Sequence, residues 1–409
     1  METPVGREIP VHQDDGDALF RRSRELAREA ENALMRSRTW SFEKLLGNGS
    51  YGATMLLSER DHLHHDRERK VVLKLPLVLG GGNQDFAREG ETLELLRGHA
   101  HIVQLISYVE SISHFQRTGG RVRRTLRRAV HAFRNPPAHL FGYLSRLSEN
   151  NGPALLLEFL ENGDLIRIME RIYFRRFQLP NRLLWAWYHC CKKSSAALSA
   201  LKIRKQVVSA CVAMTYARGG PEPRSVELET PQENHTHLRL IHDDIAARNV
   251  MVGERDPLVP AHRATPKLVL IDFGLARTLP ENQEREAERR NLEAINLVML
   301  DLINPPVTRQ DQGLHPYEWN GIRTLARGLF SGRRTSLLDP ELRRLLAESF
   351  RIGNDGDPVG RPSLEETFER TRIGMLKPME SYRNRIREGD RYLRVSLQRF
   401  LNDADDEWE

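Results

Sequence analysis

Ile241-His242-Asp243-Asp244-Ile245-Ala246-Ala247-Arg248-Asn249-Val250-Met251-Val252, followed by Leu270-Ile271-Asp272-Phe273-Gly274, sets an acid, an amide and a second acid in the order that phosphoryl transfer uses. Asp244 is placed to accept a hydroxyl proton. Asn249 and Asp272 offer hard oxygen ligands for a magnesium ion that neutralises nucleotide phosphates.

A motif pair this short needs support from the rest of the chain. Upstream, Leu46-Gly47-Asn48-Gly49-Ser50-Tyr51-Gly52 carries a G-x-G-x-x-G array, in which missing side chains let the backbone lie over phosphates. Lys70-Val71-Val72-Leu73-Lys74-Leu75 reads as a short apolar strand that ends near a lysine, Lys74. Helical periodicity follows from Phe86 to Leu96, where Leu93 and Leu96 share a face with Glu89. Glu89 is therefore the first candidate for an ion pair with Lys74, and Glu91 the second. Further on, Ala154-Leu155-Leu156-Leu157-Glu158-Phe159-Leu160 is an apolar strand that breaks into the polar turn Glu161-Asn162-Gly163-Asp164 before a helix start at Leu165.

In this order, over roughly residues 41–375, these elements resemble the eukaryotic protein kinase family. Asp357-Pro358-Val359-Gly360-Arg361-Pro362-Ser363 extends the likeness, being similar to a D-x-x-x-R-P-S element late in the family's large lobe. The resemblance implies an α+β, two-lobed protein kinase-like fold with a small, mostly β lobe holding one helix and a larger, mostly α lobe. It implies ATP and Mg2+ as cofactors and a protein substrate. Lys74 would grip the α- and β-phosphates and Glu89 would orient it, with Asp244 as catalytic base and Asn249 and Asp272 on the metal. Nucleotide contacts are implied for Leu46, Gly47, Asn48, Gly49, Gly52, Thr54, Val72, Lys74, Glu158, Leu160 and Met251. Of these, Leu46, Val72 and Met251 would line the adenine, Leu157 would stand behind it, and main-chain groups around Glu158 and Leu160 would hydrogen-bond to it.

The likeness divides the chain into an amino-terminal helical extension (1–40), a small lobe (41–160), a large lobe (161–375) and a carboxyl-terminal helix with an acidic tail (376–409). At 409 residues the chain exceeds one such domain by roughly a hundred, so insertions and tails are expected rather than a second full domain. A hydrophobic content of 39% is enough for a core. No apolar run reaches the length of a membrane span, and Met1 to Pro10 has no signal-peptide core, so a cytoplasmic or nuclear location is expected. Cys190, Cys191 and Cys211 have neither zinc-site nor disulfide-framework spacing. His62-Leu63-His64-His65 reads as a solvated loop.

The net charge of +6 is unevenly placed. Arginines concentrate between Gln116 and Arg134, opposite an apolar face of Val122, Leu126, Ala129, Val130 and Phe133, within an insertion near residues 112–150. The plain reading is a packed amphipathic insert; an acidic partner, nucleic acid or an anionic membrane is the alternative. Asp17 to Leu34 reads as a helix that docks on the body. Arg204 to Ala217 reads as a long helix before the catalytic loop, with loop insertions near 218–237 and 253–266. The tail from Asn402 is acidic.

Several positions depart from the family pattern. Asp243 stands where most members carry an arginine that receives a phosphorylated activation segment. An aspartate repels phosphate, so that switch is not expected here. Ala246-Ala247-Arg248 is similar to the tyrosine-kinase arrangement, and Arg248 can supply positive charge near the transferring phosphoryl group. The segment after Asp272-Phe273-Gly274 is short. Leu279-Pro280-Glu281 reads as a remnant of Ala-Pro-Glu, with Glu281 expected to pair with Arg361. The aspartate that usually leads the large lobe's anchor helix is replaced by Asn291 or Glu293, depending on alignment. The first expectation is transfer of the γ-phosphoryl group of ATP to a protein hydroxyl, serine or threonine. A nucleotide-binding pseudokinase or scaffold and a kinase-like small-molecule phosphotransferase stay open as alternatives. Oligomeric state is not set by these residues.

Overall fold

The computed structural model describes residues 13–48, 52–59, 69–77, 83–109, 140, 153–189, 214, 238–255, 262–305, 314–330 and 335–402. Gly49, the His62–His65 cluster, the basic stretch 116–134, the three cysteines, the 218–237 loop, residues 256–261 and the tail from 403 lie outside the described residues. So does the helix expected over Arg204–Ala217, except Met214, which is buried.

The chain is α+β and divides into two compact units, residues 1–94 with 104–159 and residues 95–103 with 160–409. The first unit begins with α1 (Gln13–Leu34) and contains a five-stranded antiparallel sheet of β1 (Trp40–Asn48), β2 (Gly52–Glu59), β3 (Arg69–Pro76), β4 (Leu105–Val109) and β5 (Ala154–Glu158), in the order β1-β2-β3-β5-β4. Helix α2 (Asn83–Leu95) lies between β3 and β4 in the chain. Leu26, Ala30 and Leu34 recur every four residues along α1, so they share one face. All three are buried in one cluster with Trp40, Met55, Leu57, Leu73 and Leu75, which is how the amino-terminal helix docks. Gly90 of α2 has Tyr108 of β4 against it: a Cβ there would lie 2.8 Å from a ring carbon, so any larger residue would push the ring aside.

In the second unit, residues 95–103 run beside β8 (Leu268–Leu270). Val103 N–H donates to Leu270 O at 3.0 Å and Leu270 N–H to His101 O at 2.9 Å, a parallel bridge that the sequence reading did not anticipate. Helix α3 (Leu165–Phe174) is capped by Asp164, whose side chain accepts from Arg167 N–H. Helix α4 (Asn181–Tyr188) follows, and Trp185, Trp187 and Tyr188 are buried. Two small ladders come next, β6 (Leu240–Ile241) with β9 (Arg277–Thr278), and β7 (Val250–Val252) with β8. Helix α5 (Glu284–Ile303) buries Leu292, Ile295, Val298 and Leu300, while Leu297 is half-buried. A hairpin of β10 (Tyr317–Trp319) and β11 (Ile322–Thr324) leads to α6 (Pro340–Ser349), α7 (Leu364–Met375), α8 (Arg385–Glu388) and α9 (Asp390–Asn402). None of the described helices is long and apolar enough to cross a membrane.

Helix α4 has proline at its N-cap and therefore no side-chain cap of its own. Glu388 fills the role from far along the chain. Its Oε1 accepts from Asn181 N–H at 3.0 Å and its Oε2 from Arg182 N–H at 2.8 Å, with the residue only 2% exposed. Glu388→Ala leaves two first-turn donors without acceptors and should cost about 2 kcal/mol. Chemical denaturation measures it, and an unchanged midpoint would reject the cap.

Candidate functional site

In the first unit, β3 delivers Lys74 into a buried position. Its Nζ donates to both carboxylate oxygens of Glu89, at 2.8 and 2.7 Å, and the two side chains are 9% and 1% exposed. Glu91, the second candidate, is exposed on α2. Glu89 shares its buried face with Leu93 and Leu96, both fully buried, so helical spacing selected the right carboxylate. The strand register sets Gly47 opposite Thr54, and Thr54 opposite Lys74. A Cβ on Gly52 would lie 2.8 Å from Leu75 O and 3.1 Å from the Phe86 ring, so β2 approaches β3 there more closely than any side chain allows. Leu46 is partly exposed, and Val72 lies opposite Leu157 with both buried. Glu158 is held by Gln104: its N–H donates to Gln104 O at 3.1 Å and its Oε1 accepts from Gln104 N–H at 2.9 Å.

In the second unit the residues of the loop from Asp244 to Asn249 form one hydrogen-bonded cluster. Asn249 Nδ2 donates to Asp244 O and to Asp244 Oδ2, each at 2.8 Å, and Arg248 donates to Asp244 Oδ1. Ile271 N–H donates to Asn249 O at 2.9 Å, which fixes the residue before Asp272 against the loop. Asp272 has φ +59°, an uncommon left-handed conformation for a side-chain-bearing residue. Leu160 is buried and Met251 half-buried. The Leu160 N–H meets no acceptor among the described residues.

His242, which the motif reading did not single out, anchors this loop. It is fully buried: Nε2 bonds Ile271 O at 3.0 Å, and its ring meets Phe273 edge-on at 4.5 Å between centroids. The apolar run Leu240-Ile241 leading into it was the available signal. Of Asn291 and Glu293, it is Asn291 that reaches this loop: its Oδ1 accepts from His242 N–H at 3.1 Å while Nδ2 donates to Leu240 O at 2.8 Å. An aspartate could only accept; the amide does both.

The expected Glu281–Arg361 pair is not formed. Glu281 is 92% exposed and lies 3.9 Å from Arg239, while Arg361 donates to Glu293 at 2.8 Å. The physical reason is position: Glu293 projects from α5, whereas Glu281 belongs to the turn before that helix. Reversing charge at Glu293 or Arg361 alone should cost about 1 kcal/mol, and the double reversal should recover most of it. Glu281→Arg should be neutral within about 0.5 kcal/mol, since surface changes of this kind rarely exceed that. Denaturation of the four variants decides. A separate groove of about 990 Å³ lies between the first half of α5 and residues 358–365; Asp244, Arg248, Asn249 and Asp272 do not line it.

Two buried histidines carry a pH dependence. Burial pushes His101 well below the usual histidine range, helped by neighbouring His262, Lys267 and His99, although its bond to Leu268 O pulls the other way. Burial also lowers His242, against the opposing effect of its bond to Ile271 and of Asp272, Asp244 and Asp243. A depressed folded value means that the unfolded chain takes up protons first. Stability should therefore be full above the ordinary histidine value of 6.5 and fall as pH drops below it. His101→Gln should flatten that fall in denaturation titrations between pH 7 and 5; an equal slope in both proteins contradicts the assignment.

No protein-family model matches this chain, and no curated protein matches it significantly in sequence.

Proposed function

We propose that this chain is an ATP-dependent protein kinase of two-lobed, protein kinase-like fold, transferring the γ-phosphoryl group to a serine or threonine hydroxyl. The observation that carries the reading is the cluster of Asp244, Arg248 and Asn249, with Asp272 fixed next to it through Ile271. Asp244 accepts the proton of the acceptor hydroxyl, and Arg248 places positive charge beside it. The bidentate pair with Glu89 holds the Lys74 ammonium for the α- and β-phosphates. On this reading the residues assigned to adenine are Leu46 and Val72 in the first unit and, in the second, Met251 and the Leu160 N–H.

The side chains also fit the metal. Asn249 spends its Nδ2 on Asp244, which leaves Oδ1 for a cation, and Asp272 brings a carboxylate. The described residues contain no group of three acidic, histidine or cysteine side chains that could cage an ion. Mg2+ takes one or two protein oxygens and completes its shell with water and phosphate, so such a cage is not required. When bound, magnesium neutralises charge on the transferring group.

A second reading, a nucleotide-binding scaffold, draws on the same cluster, because Arg248 and Asn249 each occupy one oxygen of Asp244. Labelled ATP, Mg2+ and a protein mixture separate the two. Magnesium-dependent labelling of protein supports the kinase. ATP binding without labelling supports the scaffold, and labelling only of small molecules rejects both.

A further inference from the structure

Two short arcs of chain, residues 241–249 and 271–278, carry Asp244, Asn249 and Asp272, and they are pinned together at both ends. At one end Ile271 N–H donates to Asn249 O at 2.9 Å. At the other, Ile241 pairs with Arg277 and Leu240 with Thr278, and Leu279 N–H donates to Arg239 O at 2.9 Å. Asp243 and Asp272 lie within the ring so formed, both left-handed, with φ of +56° and +59°. A turn closed by Ala276 N–H on Phe273 O at 3.0 Å carries the chain from Asp272 to Arg277. A side-chain bridge then crosses the ring: Arg277 Nε donates to Asp243 Oδ2, with the two side chains 48% and 29% exposed.

We propose that Asp243 and Arg277 are positioning residues that form a built-in latch, holding Asp272 in register with Asp244 without any added phosphate. The inference rests on the kinase reading above. Its physical basis is the place of Asp243 in the chain, between inward-facing His242 and Asp244. A rotation of the backbone at 243 shifts both neighbours, and the guanidinium bound to the Asp243 carboxylate opposes that rotation. The same bond ties down the segment five residues beyond Asp272. A single hydroxyl, that of Thr278, occurs between residues 272 and 283, and its backbone is committed to the β6–β9 ladder. The latch supplies internally what a negative charge on this segment would otherwise have to recruit.

The test is a charge exchange. Arg277→Asp and Asp243→Arg, assayed well below their melting temperatures, should each lower kcat about tenfold or more, as expected when reacting groups lose register. Each should also raise the magnesium concentration needed for half-maximal rate, and Arg277→Gln should show the same direction more weakly. The double exchange should return both quantities to within about threefold of the parent, the coupling expected of contacting residues. Phosphatase treatment of the parent should leave its rate unchanged. Single variants with parental kcat and magnesium dependence, a double variant no better than the singles, or a rate lost on dephosphorylation would each overturn the latch. Hydrogen exchange of the amides from 272 to 279 gives a readout independent of catalysis: faster in each single variant and restored in the double. If the parent transfers no phosphate, the kinase reading falls, and the latch stands or falls on this exchange pattern alone.

Discussion

Asp244→Ala should lower magnesium-dependent phosphoryl transfer by about 10²–10⁴-fold, the range that a positioned general base contributes. The protein should stay folded. Asn249 Nδ2 keeps its bond to the Asp244 main-chain oxygen, because that contact does not involve the side chain, and Arg248 is more than half exposed, so water replaces its lost partner. ATP binding should stay within about threefold of the parent, since the residues assigned to adenine and to the α- and β-phosphates are untouched. Asp244→Asn sharpens the comparison. The amide retains an oxygen acceptor for Asn249 but is not basic enough to take the hydroxyl proton, so its rate should fall with that of the alanine variant. Single-turnover transfer beside equilibrium ATP binding measures both quantities. Parental transfer in Asp244→Ala would remove this residue as the base; binding lost in step with turnover would mean that it holds nucleotide instead.

The sequence makes some of these contacts readable and hides others, and the dividing line is the range of the interaction. Glu89 is readable because its partner choice is local: on a helix it shares a face with Leu93 and Leu96, whereas Glu91 turns to solvent. The bond between Asn249 and Asp244 spans five residues and follows from the compactness of the loop. Asn291 reaches His242 across 49 residues, Arg361 reaches Glu293 across 68, and Glu388 caps Asn181 across 207. In each of these the two partners come from elements far apart in the chain, so no periodicity encodes the pair. Residues 95–103 behave the same way. His101 bonds Leu268 O of β8 across 167 residues, and nothing in Gly98-His99-Ala100-His101 announces a strand partner. Glu281 shows the opposite error: motif likeness gave it a partner that the geometry of α5 gives to Glu293.

Lys74 and Glu89 allow stability and catalysis to be separated. Lys74→Met takes the ammonium away from a carboxylate that is 1% exposed, and removing one member of such a buried pair costs about 3–5 kcal/mol. Glu89→Leu should cost less than this upper range. The Lys74 ammonium is also buried, but its four-carbon arm can move it toward solvent while the carboxylate on its shorter stem stays fixed in α2. Replacing both, as Lys74→Met with Glu89→Leu, exchanges two desolvated charges for apolar volume near Phe86, whose ring centroid lies 5.9 Å from the Lys74 ammonium. Exchanges of this kind are neutral or stabilising, so the double variant should regain most of the stability that Lys74→Met loses. Transfer should not return with it. On the kinase reading the ammonium meets the α- and β-phosphates directly, and a methionine at that position cannot. Urea denaturation and the transfer assay on the three variants make the comparison. A double variant that is as unstable as Lys74→Met alone would show that the pair is needed for the fold itself. A double variant that transfers phosphate at the parental rate would remove Lys74 from the site.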